Sequence, residues 1–312
     1  MTPTILVYAD EADRYAALIR VPRRRVTIRT ARTTAEAAAL IAEADVLYAW
    51  EFPPKLYARA IRLTWLQAIG AGVDWALTPE LPSHVTVTRA PGIFGPWIAE
   101  YVMGWCARVT QRMALYLGAQ HERRWMASAL PDRLYGRTLT VVGLGDVGRA
   151  IARAARAFGM RVLGVSRSGR AVREVERVYA TRHLTRALAA ADFAVLTLPL
   201  TPATRHLIGR PQLLAMKPGA WLVNVARGAV VDEAALIDAL RTRRLAGAIL
   251  DVFTVEPLPP DHPLWAMPNV VVTPHIAGPS TPEEIAPVFN DNLARFLSGR
   301  RLRHVVDRAR GY

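Results

Sequence analysis

The chain has 312 residues, 52% of them hydrophobic and 21% charged, with a formal net charge of +14 and a mean hydropathy of +0.14. A chain of this length and apolar content can bury a sizeable core, which excludes a disordered protein. No uninterrupted apolar run approaches the roughly 18 to 20 residues that a spanning helix needs, so we expect neither a transmembrane protein nor a membrane partner.

The positive charge makes nucleic acid a partner to consider. The basic residues are nearly all arginines spread along the chain, since Lys55 and Lys217 are the only lysines, and we therefore expect no nucleic-acid partner. The densest cluster, residues 23–25, is expected on a solvated turn after Pro22. The single Cys106, expected to be buried, excludes an intrachain disulfide and a cysteine-clustered metal site, and we expect no metal.

Short apolar strands alternate with amphipathic helices over the first ninety residues. No basic region precedes the first apolar stretch, so we interpret it as a strand rather than an exported signal and expect a cytoplasmic protein. This succession requires a parallel sheet with helices on its faces, and the long apolar stretch after Pro96 then has the period of one buried helix. The predicted strands are 5–8, 26–29, 46–49 and 63–68, and the predicted helices are 12–19, 34–43 and 97–117.

A second and stronger series of strands and helices begins at Leu139. Six strands are predicted in it, the count of a complete dinucleotide-binding domain. A last helix, 282–297, is expected to cross back to the first domain. The organisation is therefore a discontinuous first domain, 1–95 and 284–312, and a second domain, 96–283. The six strands are 139–142, 161–165, 193–198, 221–225, 248–250 and 270–273, and the helices are 147–158, 186–190, 211–216 and 233–243.

A glycine loop follows the first strand of this series and opens its first helix, with the sequence Gly143-Leu-Gly145-Asp146-Val147-Gly148. Gly143 permits a tight turn, Gly145 lets the backbone approach a pyrophosphate, and Gly148 lets helix and strand pack closely. The amide groups and partial positive charge of the helix N-terminus then favour an anion. The alternative, a purely structural turn, is disfavoured by the flanking strand and helix.

The second strand of the series ends at Ser166-Arg167-Ser168, where an NAD-selective domain would carry an Asp or Glu for the ribose hydroxyls. Arg167 can instead pair with a ribose 2′-phosphate through its planar guanidinium, and the two serines can add hydrogen bonds. We therefore expect NADP(H) to be preferred, with NAD(H) possible. The alternative is an arginine that only faces solvent.

Three further polar residues stand at the ends of predicted strands or in the loops after them, where ligands gather in open parallel sheets. Arg227 lies in Asn-Val-Ala-Arg-Gly, Glu256 precedes Pro-Leu-Pro, and His275 lies in Thr-Pro-His-Ile-Ala-Gly. Taken singly, each has an ordinary alternative: a surface ion pair, a solvated loop residue or a structural histidine. Their occurrence together favours a catalytic site.

With these motifs in order, the sequence resembles the D-isomer-specific 2-hydroxyacid dehydrogenases over essentially its whole length. The resemblance also rests on Leu-Pro-Leu-Thr-Pro-Ala-Thr at 198–204 and on Gly-Ala-Gly-Val-Asp at 70–74. The Ser-Arg-Ser segment and the closing residues 306–312 are similar to the glyoxylate/hydroxypyruvate reductase branch. One departure is Pro-Ser-Thr-Pro at 279–282, where the family often has an aromatic residue and Thr, and it affects the rim of the pocket.

The resemblance implies an α/β protein with two doubly wound parallel-sheet domains, a flavodoxin-like substrate domain and a Rossmann cofactor domain, with the active site in the cleft between them. It implies an NAD(P)-dependent oxidoreductase that reduces a small 2-oxo acid to the D-2-hydroxy acid. His275 would donate the proton, Glu256 would orient its ring, and Arg227 would hold the carboxylate and stabilise charge on the carbonyl oxygen. Residues 97–117 and 121–133 resemble the dimerising arm of the family, so a homodimer is expected.

The resemblance further implies which residues surround the cofactor and the substrate. Backbone N–H groups of 70–73 would hold the carboxylate, and Trp50 would narrow the pocket, although a buried core tryptophan is the alternative. Asp251 would lie near the nicotinamide carboxamide. The expected cofactor residues are Gly143, Gly145, Asp146, Val147, Gly148, Ser166, Arg167, Ser168, Pro199, Thr204, Val225, Ala226, Arg227, Asp251, His275 and Ala277. The expected substrate residues are Trp50, Gly70, Ala71, Gly72, Val73, Arg227 and His275.

A function of a different class is the alternative. Transcriptional corepressors that resemble these dehydrogenases use the same fold, so the chain could be a dinucleotide-sensing regulator. Oxidation of NADPH by glyoxylate or hydroxypyruvate separates an enzyme from such a regulator.

Overall fold

A computed structural model of the chain describes residues 2–22 and 25–312. It divides into two compact units, Met1–Phe94 with Ser280–Tyr312 and Gly95–Pro279. These units divide the chain after residues 94 and 279, and the domain boundaries expected after residues 95 and 283 stay a prediction. Of the arginine cluster expected on a solvated turn, Arg23 and Arg24 lie outside the described residues, and Arg25 is exposed.

Strands and helices are numbered here in chain order. The strands are β1 (Thr4–Tyr8), β2 (Thr27–Ala31), β3 (Val46–Ala49), β4 (Trp65–Ala68), β5 (Thr86–Thr88), β6 (Thr138–Val142), β7 (Arg161–Ser166), β8 (Arg177–Ala180), β9 (Phe193–Leu196), β10 (Trp221–Asn224), β11 (Gly247–Leu250) and β12 (Val270–Val272). The helices are α1 (Ala12–Ala17), α2 (Thr34–Leu40), α3 (Phe94–Thr110), α4 (Met113–His121), α5 (Asp146–Ala157), α6 (Leu184–Leu188), α7 (Arg210–Ala215), α8 (Glu233–Arg241) and α9 (Pro282–Leu297).

The first unit is built on a five-stranded parallel sheet in the order β2-β1-β3-β4-β5. This is the flavodoxin-like order, in which the direction of winding reverses between β1 and β3. Strands β3 and β4 are buried at every position, as strands covered on both faces should be. Strand β5 is absent from the prediction because Thr-Val-Thr is too short to show an apolar pattern.

The last helix, α9, packs against the sheet of the first unit. The ring of Phe289 stacks on Tyr48 with 4.1 Å between centroids and on Trp65 with 5.3 Å, and all three side chains are fully buried. Buried Asn292 donates to the Gln67 side chain, so these two polar groups inside the core are paired. Helix α9 is therefore part of the core of the first unit.

The second unit contains a seven-stranded parallel sheet in the order β12-β11-β10-β9-β6-β7-β8. Starting from β6, this is the Rossmann order with β12 added as a further parallel strand. The prediction of six strands is wrong. It misses the edge strand β8, Arg-Val-Tyr-Ala, because an apolar run of only three residues is a weak strand pattern, and the strand is buried only at Ala180. The predicted fold class, two doubly wound parallel α/β domains, is confirmed.

The single helix predicted at 97–117 is in fact two helices. Helix α3 ends at Thr110, and α4 begins after Arg112, which takes a left-handed conformation with φ of 52°. The Thr110 hydroxyl donates to the Cys106 carbonyl at 2.8 Å, a local bond that competes with the helical ladder. Cys106 is fully buried as expected, and burial raises the pKa of its thiol.

Neither a membrane-spanning helix nor a metal-ligand cluster is found among the described residues. Among residues 2–22 and 25–312, no helix is long and apolar enough to cross a membrane. Nowhere in the described part of the chain do three or more His, Cys, Asp or Glu side chains come together in a way that could hold a metal ion.

Candidate active site

Three neighbouring strands of the second sheet bring polar side chains to one edge. Strands β10, β11 and β12 are adjacent and parallel, so the segments that follow them start from the same edge. These segments carry Arg227, Glu256 and His275, respectively. Open parallel sheets bind their ligands at this edge.

His275 and Glu256 form a direct hydrogen bond, with 2.9 Å between the ring Nδ1 and the carboxylate Oε2. The other oxygen of Glu256 accepts the Phe253 N–H at 2.8 Å, which fixes the carboxylate from behind. The two side chains are 37% and 35% exposed, so they are partly shielded from water but reachable by a ligand. Because Nδ1 faces the carboxylate, Nε2 is the nitrogen that the ring presents to a ligand.

The electrostatics of this pair favour the protonated ring. The hydrogen bond to Glu256 raises the pKa of His275 above its ordinary value, against the opposing effect of burial. The charge of Arg227 lowers the same pKa and that of Asp251 raises it, both to a lesser degree. Burial works to raise the pKa of Glu256, yet its hydrogen bonds from His275 and Phe253 outweigh burial and leave that pKa below its ordinary value.

Arg227 is positioned by the turn that follows β10. Buried Asn224 accepts the Ala226 N–H at 3.1 Å and donates to the Arg227 carbonyl at 3.0 Å. The guanidinium of Arg227 is half-buried and donates to the Ala226 carbonyl at 2.8 Å. A Cβ on Gly228 would lie 1.9 Å from the carbonyl carbon of Phe253, so glycine alone lets this turn pack against the segment that follows β11.

Asp251 holds the segment that carries His275. Its carboxylate, on a residue only 2% exposed, accepts the Thr273 hydroxyl at 2.6 Å and the N–H groups of Ile276 and Ala277 at 2.9 Å each. Its main-chain carbonyl accepts the His275 N–H at 2.8 Å. Asp251 is thus a structural partner of the His275 segment, and its expected contact with the nicotinamide carboxamide stays a prediction.

The glycine loop folds tightly onto α5. A Cβ on Gly148 would lie 1.9 Å from the Gly143 carbonyl oxygen, so no side chain fits there. Around the position that a Cβ on Gly145 would take, by contrast, no atom of the described residues lies within 4 Å apart from those of Gly145 and its two chain neighbours. This open space adjoins the first-turn amides of Asp146 and Val147, groups that have no partner within a helix. These residues therefore fit the pyrophosphate of a dinucleotide.

The loop after β9 is hydrogen-bonded to the glycine loop. Thr197 donates its hydroxyl to the Gly143 carbonyl at 2.7 Å. Within the loop, Thr204 donates to the Pro199 carbonyl at 2.7 Å and accepts the Thr201 N–H at 2.8 Å, which closes a turn. Contacts of Pro199 and Thr204 with a cofactor stay predictions. Thr197 was not singled out from the sequence, where its one signal is its place at the end of a strand.

The turn after β7 presents polar side chains to solvent. Ser166 accepts the Gly169 N–H at 3.1 Å and Ser168 accepts the Arg170 N–H at 3.3 Å. A hydroxyl that accepts such a bond keeps its own proton for a ligand acceptor. Arg167 is exposed beside them, and the turn contains no carboxylate. Its chemistry therefore fits an anion better than a pair of ribose hydroxyls.

The first unit carries its predicted substrate residues at the carboxyl edge of its own sheet. Trp50 follows β3 and Gly70 follows the neighbouring β4. Trp50 is 39% exposed and is therefore not a core tryptophan, and its ring lies 2.7 Å from the position that a Cβ on Gly70 would take. Ala71 and Gly72 are half-buried, whereas the Val73 side chain is buried in the core, so Val73 can offer a ligand only its backbone.

Three apolar residues expected near the nicotinamide lie at the edge that carries His275. Ala226 and Ala277 are buried and Val225 is half-buried. Packing accounts for these positions, and their contact with a cofactor stays a prediction. Asn224 and Thr273 were not assigned from the sequence, where their one signal is a hydrogen-bonding side chain at the end of an apolar strand.

Comparison with known proteins gives the family. A family model described as D-isomer specific 2-hydroxyacid dehydrogenase, NAD binding domain, matches residues 103–277. Glyoxylate reductase of Aeropyrum pernix is 36% identical over 286 residues, which cover 85% of this chain and 84% of that protein.

Solved structures agree with the sequence matches. The crystal structure of a D-isomer specific 2-hydroxyacid dehydrogenase family protein from Aeromonas salmonicida has a TM-score of 0.92 and 39% identity, covering 99% of this chain and 100% of that one. The NADPH-dependent glyoxylate/hydroxypyruvate reductase of Sinorhizobium meliloti, in complex with NADP and sulfate, has a TM-score of 0.89 and 31% identity, covering 100% of both chains. This chain therefore belongs to the D-isomer-specific 2-hydroxyacid dehydrogenases, oxidoreductases with an NAD(P)-binding domain, and is similar to their glyoxylate/hydroxypyruvate reductase branch.

Proposed function

We propose that this protein reduces glyoxylate to glycolate or hydroxypyruvate to D-glycerate, with NADPH as the hydride donor. The observation that carries the proposal is the 2.9 Å bond between His275 and Glu256, at the sheet edge that also bears Arg227. The Sinorhizobium meliloti relative, named as an NADPH-dependent glyoxylate/hydroxypyruvate reductase, supports the same substrate class and cofactor.

His275 is the proton donor in this mechanism. Reduction of a 2-oxo acid needs a hydride at the carbonyl carbon, which NADPH supplies when bound, and a proton at the carbonyl oxygen. Because Glu256 raises the pKa of His275, the ring keeps its Nε2 proton to higher pH than an ordinary histidine and can release it to that oxygen. In the oxidative direction the neutral ring accepts the proton of the substrate hydroxyl.

Arg227 holds the anionic end of the substrate. Its guanidinium is a planar set of donors that matches a carboxylate and also stabilises negative charge on the carbonyl oxygen as the hydride arrives. In an acid this small the carboxylate is the strongest group for recognition, so its binding orients the carbonyl for reaction. Carboxylate binding by the backbone of 70–73 and restriction to small substrates by Trp50 stay predictions.

The turn after β7 is the basis for proposing NADPH over NADH. A 2′-phosphate would meet the guanidinium of Arg167 and the hydroxyls of Ser166 and Ser168, whereas ribose hydroxyls would find no carboxylate acceptor there. The open space at Gly145 and the first turn of α5 would receive the pyrophosphate.

We further propose that the protein is a homodimer. The segment after α3 exposes large apolar side chains, with Leu117 61%, Trp125 95% and Leu130 72% exposed. Apolar surface of this extent is commonly buried against a partner. Sedimentation equilibrium should give twice the chain mass of 34.4 kDa, and a single-chain mass at micromolar concentration would contradict a dimer. The cytoplasmic location expected from the sequence stays a prediction.

One assay tests the proposed function. Glyoxylate, hydroxypyruvate and larger 2-oxo acids are each offered with NADPH and with NADH, and cofactor absorbance is followed. We expect the highest kcat/KM with NADPH and one of the two smallest acids, and D-glycerate as the product from hydroxypyruvate. Binding of NADPH without turnover of any acid would instead identify a dinucleotide-sensing regulator, and a preference for NADH would refute the cofactor assignment alone.

A further inference from the structure

A partly buried chain of hydroxyl groups runs from α3 to the segment that carries His275. The Tyr101 hydroxyl on α3 lies 2.6 Å from the Thr273 hydroxyl, and Thr273 in turn lies 2.6 Å from Asp251 Oδ1. Neither Tyr101 nor Thr273 has a role in the function proposed above. All three residues belong to the second unit.

The direction of the proton in each bond is fixed by chemistry. Asp251 Oδ1 already accepts the Ile276 N–H, so this oxygen is an acceptor and the single hydroxyl proton of Thr273 points to it. The Thr273 oxygen must then accept from Tyr101. Burial raises the pKa of the Tyr101 phenol, which keeps that group a donor. Aligned bonds of this kind polarise and strengthen one another.

Asp251, at the end of this chain of hydroxyl groups, stabilises an unfavourable backbone conformation of His275. His275 has a φ of 53°, in the left-handed region that residues other than glycine rarely adopt. Such a conformation persists only where its surroundings determine it, and here Asp251 binds both flanks of the residue. Its carboxylate accepts from Thr273 on one side and from Ile276 and Ala277 on the other.

We propose that Tyr101 and Thr273 are positioning residues for His275: their hydroxyls orient the Asp251 carboxylate, which holds the His275 backbone where the ring reaches Glu256. Neither residue touches the reacting atoms. The proposal deepens the proposed function and rests on it for the role of His275 as proton donor.

The charged groups around His275 determine how its pKa would change if the segment that carries it moved. The ring faces Glu256 from the segment after β11, Arg227 from the turn after β10, and Asp251 at the end of β11. The pKa of His275 is raised chiefly by the bond to Glu256, and a ring that moves away from that carboxylate loses the raising effect while Arg227 still opposes protonation. Loss of the hydroxyl chain should therefore lower the pKa of His275.

Thr273→Val and Thr273→Ser form the decisive pair, because valine keeps the shape and removes the hydroxyl while serine keeps the hydroxyl. We expect kcat for 2-oxo acid reduction to fall about tenfold in Thr273→Val and to stay within about twofold in Thr273→Ser. Tyr101→Phe removes only the outer donor and should lower kcat about threefold. The double variant Tyr101→Phe/Thr273→Val should be no worse than Thr273→Val alone, because the two hydroxyls act through one chain.

A readout that needs no turnover separates positioning from the chemistry itself. Titration of the His275 ring by nitrogen NMR in the whole protein should give a lower pKa in Thr273→Val, a smaller decrease in Tyr101→Phe and no change in Thr273→Ser. An unchanged pKa in Thr273→Val, or losses of kcat that add in the double variant, would overturn the proposal. Absence of turnover in the unaltered protein, with the pKa order as expected, would refute the proposed function and leave the positioning intact.

Tyr116→Phe is the matched control. The hydroxyl of Tyr116 donates to the Ala129 carbonyl and takes no part in the chain that reaches His275. Its loss should leave kcat and the pKa of His275 unchanged. A decrease in kcat equal to that of Tyr101→Phe would show that loss of a buried tyrosine bond has a general effect, and would overturn a specific role for Tyr101.

Discussion

The edge that carries His275 and the turn after β7 lie in the same unit but are built differently. His275 is bonded through its ring to Glu256 and through its main chain to Asp251, and both partners have further bonds of their own. After β7, Arg167 and Ser168 are exposed, and the serine bonds stay within the turn. The geometry of His275 and Glu256 is therefore fixed by bonds among the protein's own residues, whereas the turn after β7 presents exposed side chains that a ligand can reach.

Loss of the proton donor should have the largest effect. His275→Ala removes the ring and should lower kcat/KM for 2-oxo acid reduction by about 10²- to 10⁴-fold, the usual contribution of a positioned acid. Steady-state kinetics measure the loss, and circular dichroism checks the fold. His183→Ala, at an exposed turn, should retain full activity. Substantial turnover in His275→Ala would show that another group supplies the proton.

Glu256→Gln should have the next largest effect on 2-oxo acid reduction and should alter the pH profile of its rate. Reduction needs the protonated ring, so the rate falls as pH rises through the pKa of His275, which Glu256 raises. Glutamine removes the charge, so the descending limb should move to lower pH, with kcat at neutral pH lower by about ten- to a hundredfold. Glu176→Gln, whose carboxylate pairs with Arg161 at the surface, is the control. An unmoved limb would contradict the assigned role of Glu256.

Arg167→Ala tests the turn after β7, because it should change the preference for NADPH over NADH and not the rate of the chemical step. A hydrogen bond to a charged group is commonly worth enough to change the ratio of kcat/KM for NADPH to that for NADH by about ten- to a hundredfold. The value of kcat with saturating NADPH should change little. Arg186→Ala, an exposed arginine on α6, should leave the ratio as it is. An unchanged ratio in Arg167→Ala would show that this arginine only faces solvent.

Ser168→Ala should produce the smallest effect. A neutral hydroxyl bond to the 2′-phosphate is worth less than the guanidinium pair, so the same ratio should decrease about threefold. The measurement is kcat/KM for NADPH and for NADH at fixed substrate, with the double variant Arg167→Ala/Ser168→Ala as a test of coupling. A larger decrease than that of Arg167→Ala would reverse the proposed order of importance at this turn.

Physical reasons explain which features could be predicted from the sequence. Continuous apolar runs in the sequence predict buried strands such as β3 and β9. Arg227, Glu256 and His275 can be identified as polar residues that follow such runs. Strand β8 has an apolar run of only three residues, and the left-handed Arg112 that separates α3 from α4 has no glycine or proline to signal it. Thr273 was missed because its importance depends on bonds to other elements, which spacing along the chain does not reveal.

The stacking of Phe289 between Tyr48 and Trp65 has a consequence for synthesis of the chain. The ribosome makes Tyr48 and Trp65 before the second unit and Phe289 after it, so the first unit has an open core while the second unit is being translated. The second unit, continuous in sequence, can fold before synthesis finishes. Until α9 emerges the core of the nascent first unit stays incomplete, and a premature stop before this helix leaves that unit without the ring that fills it.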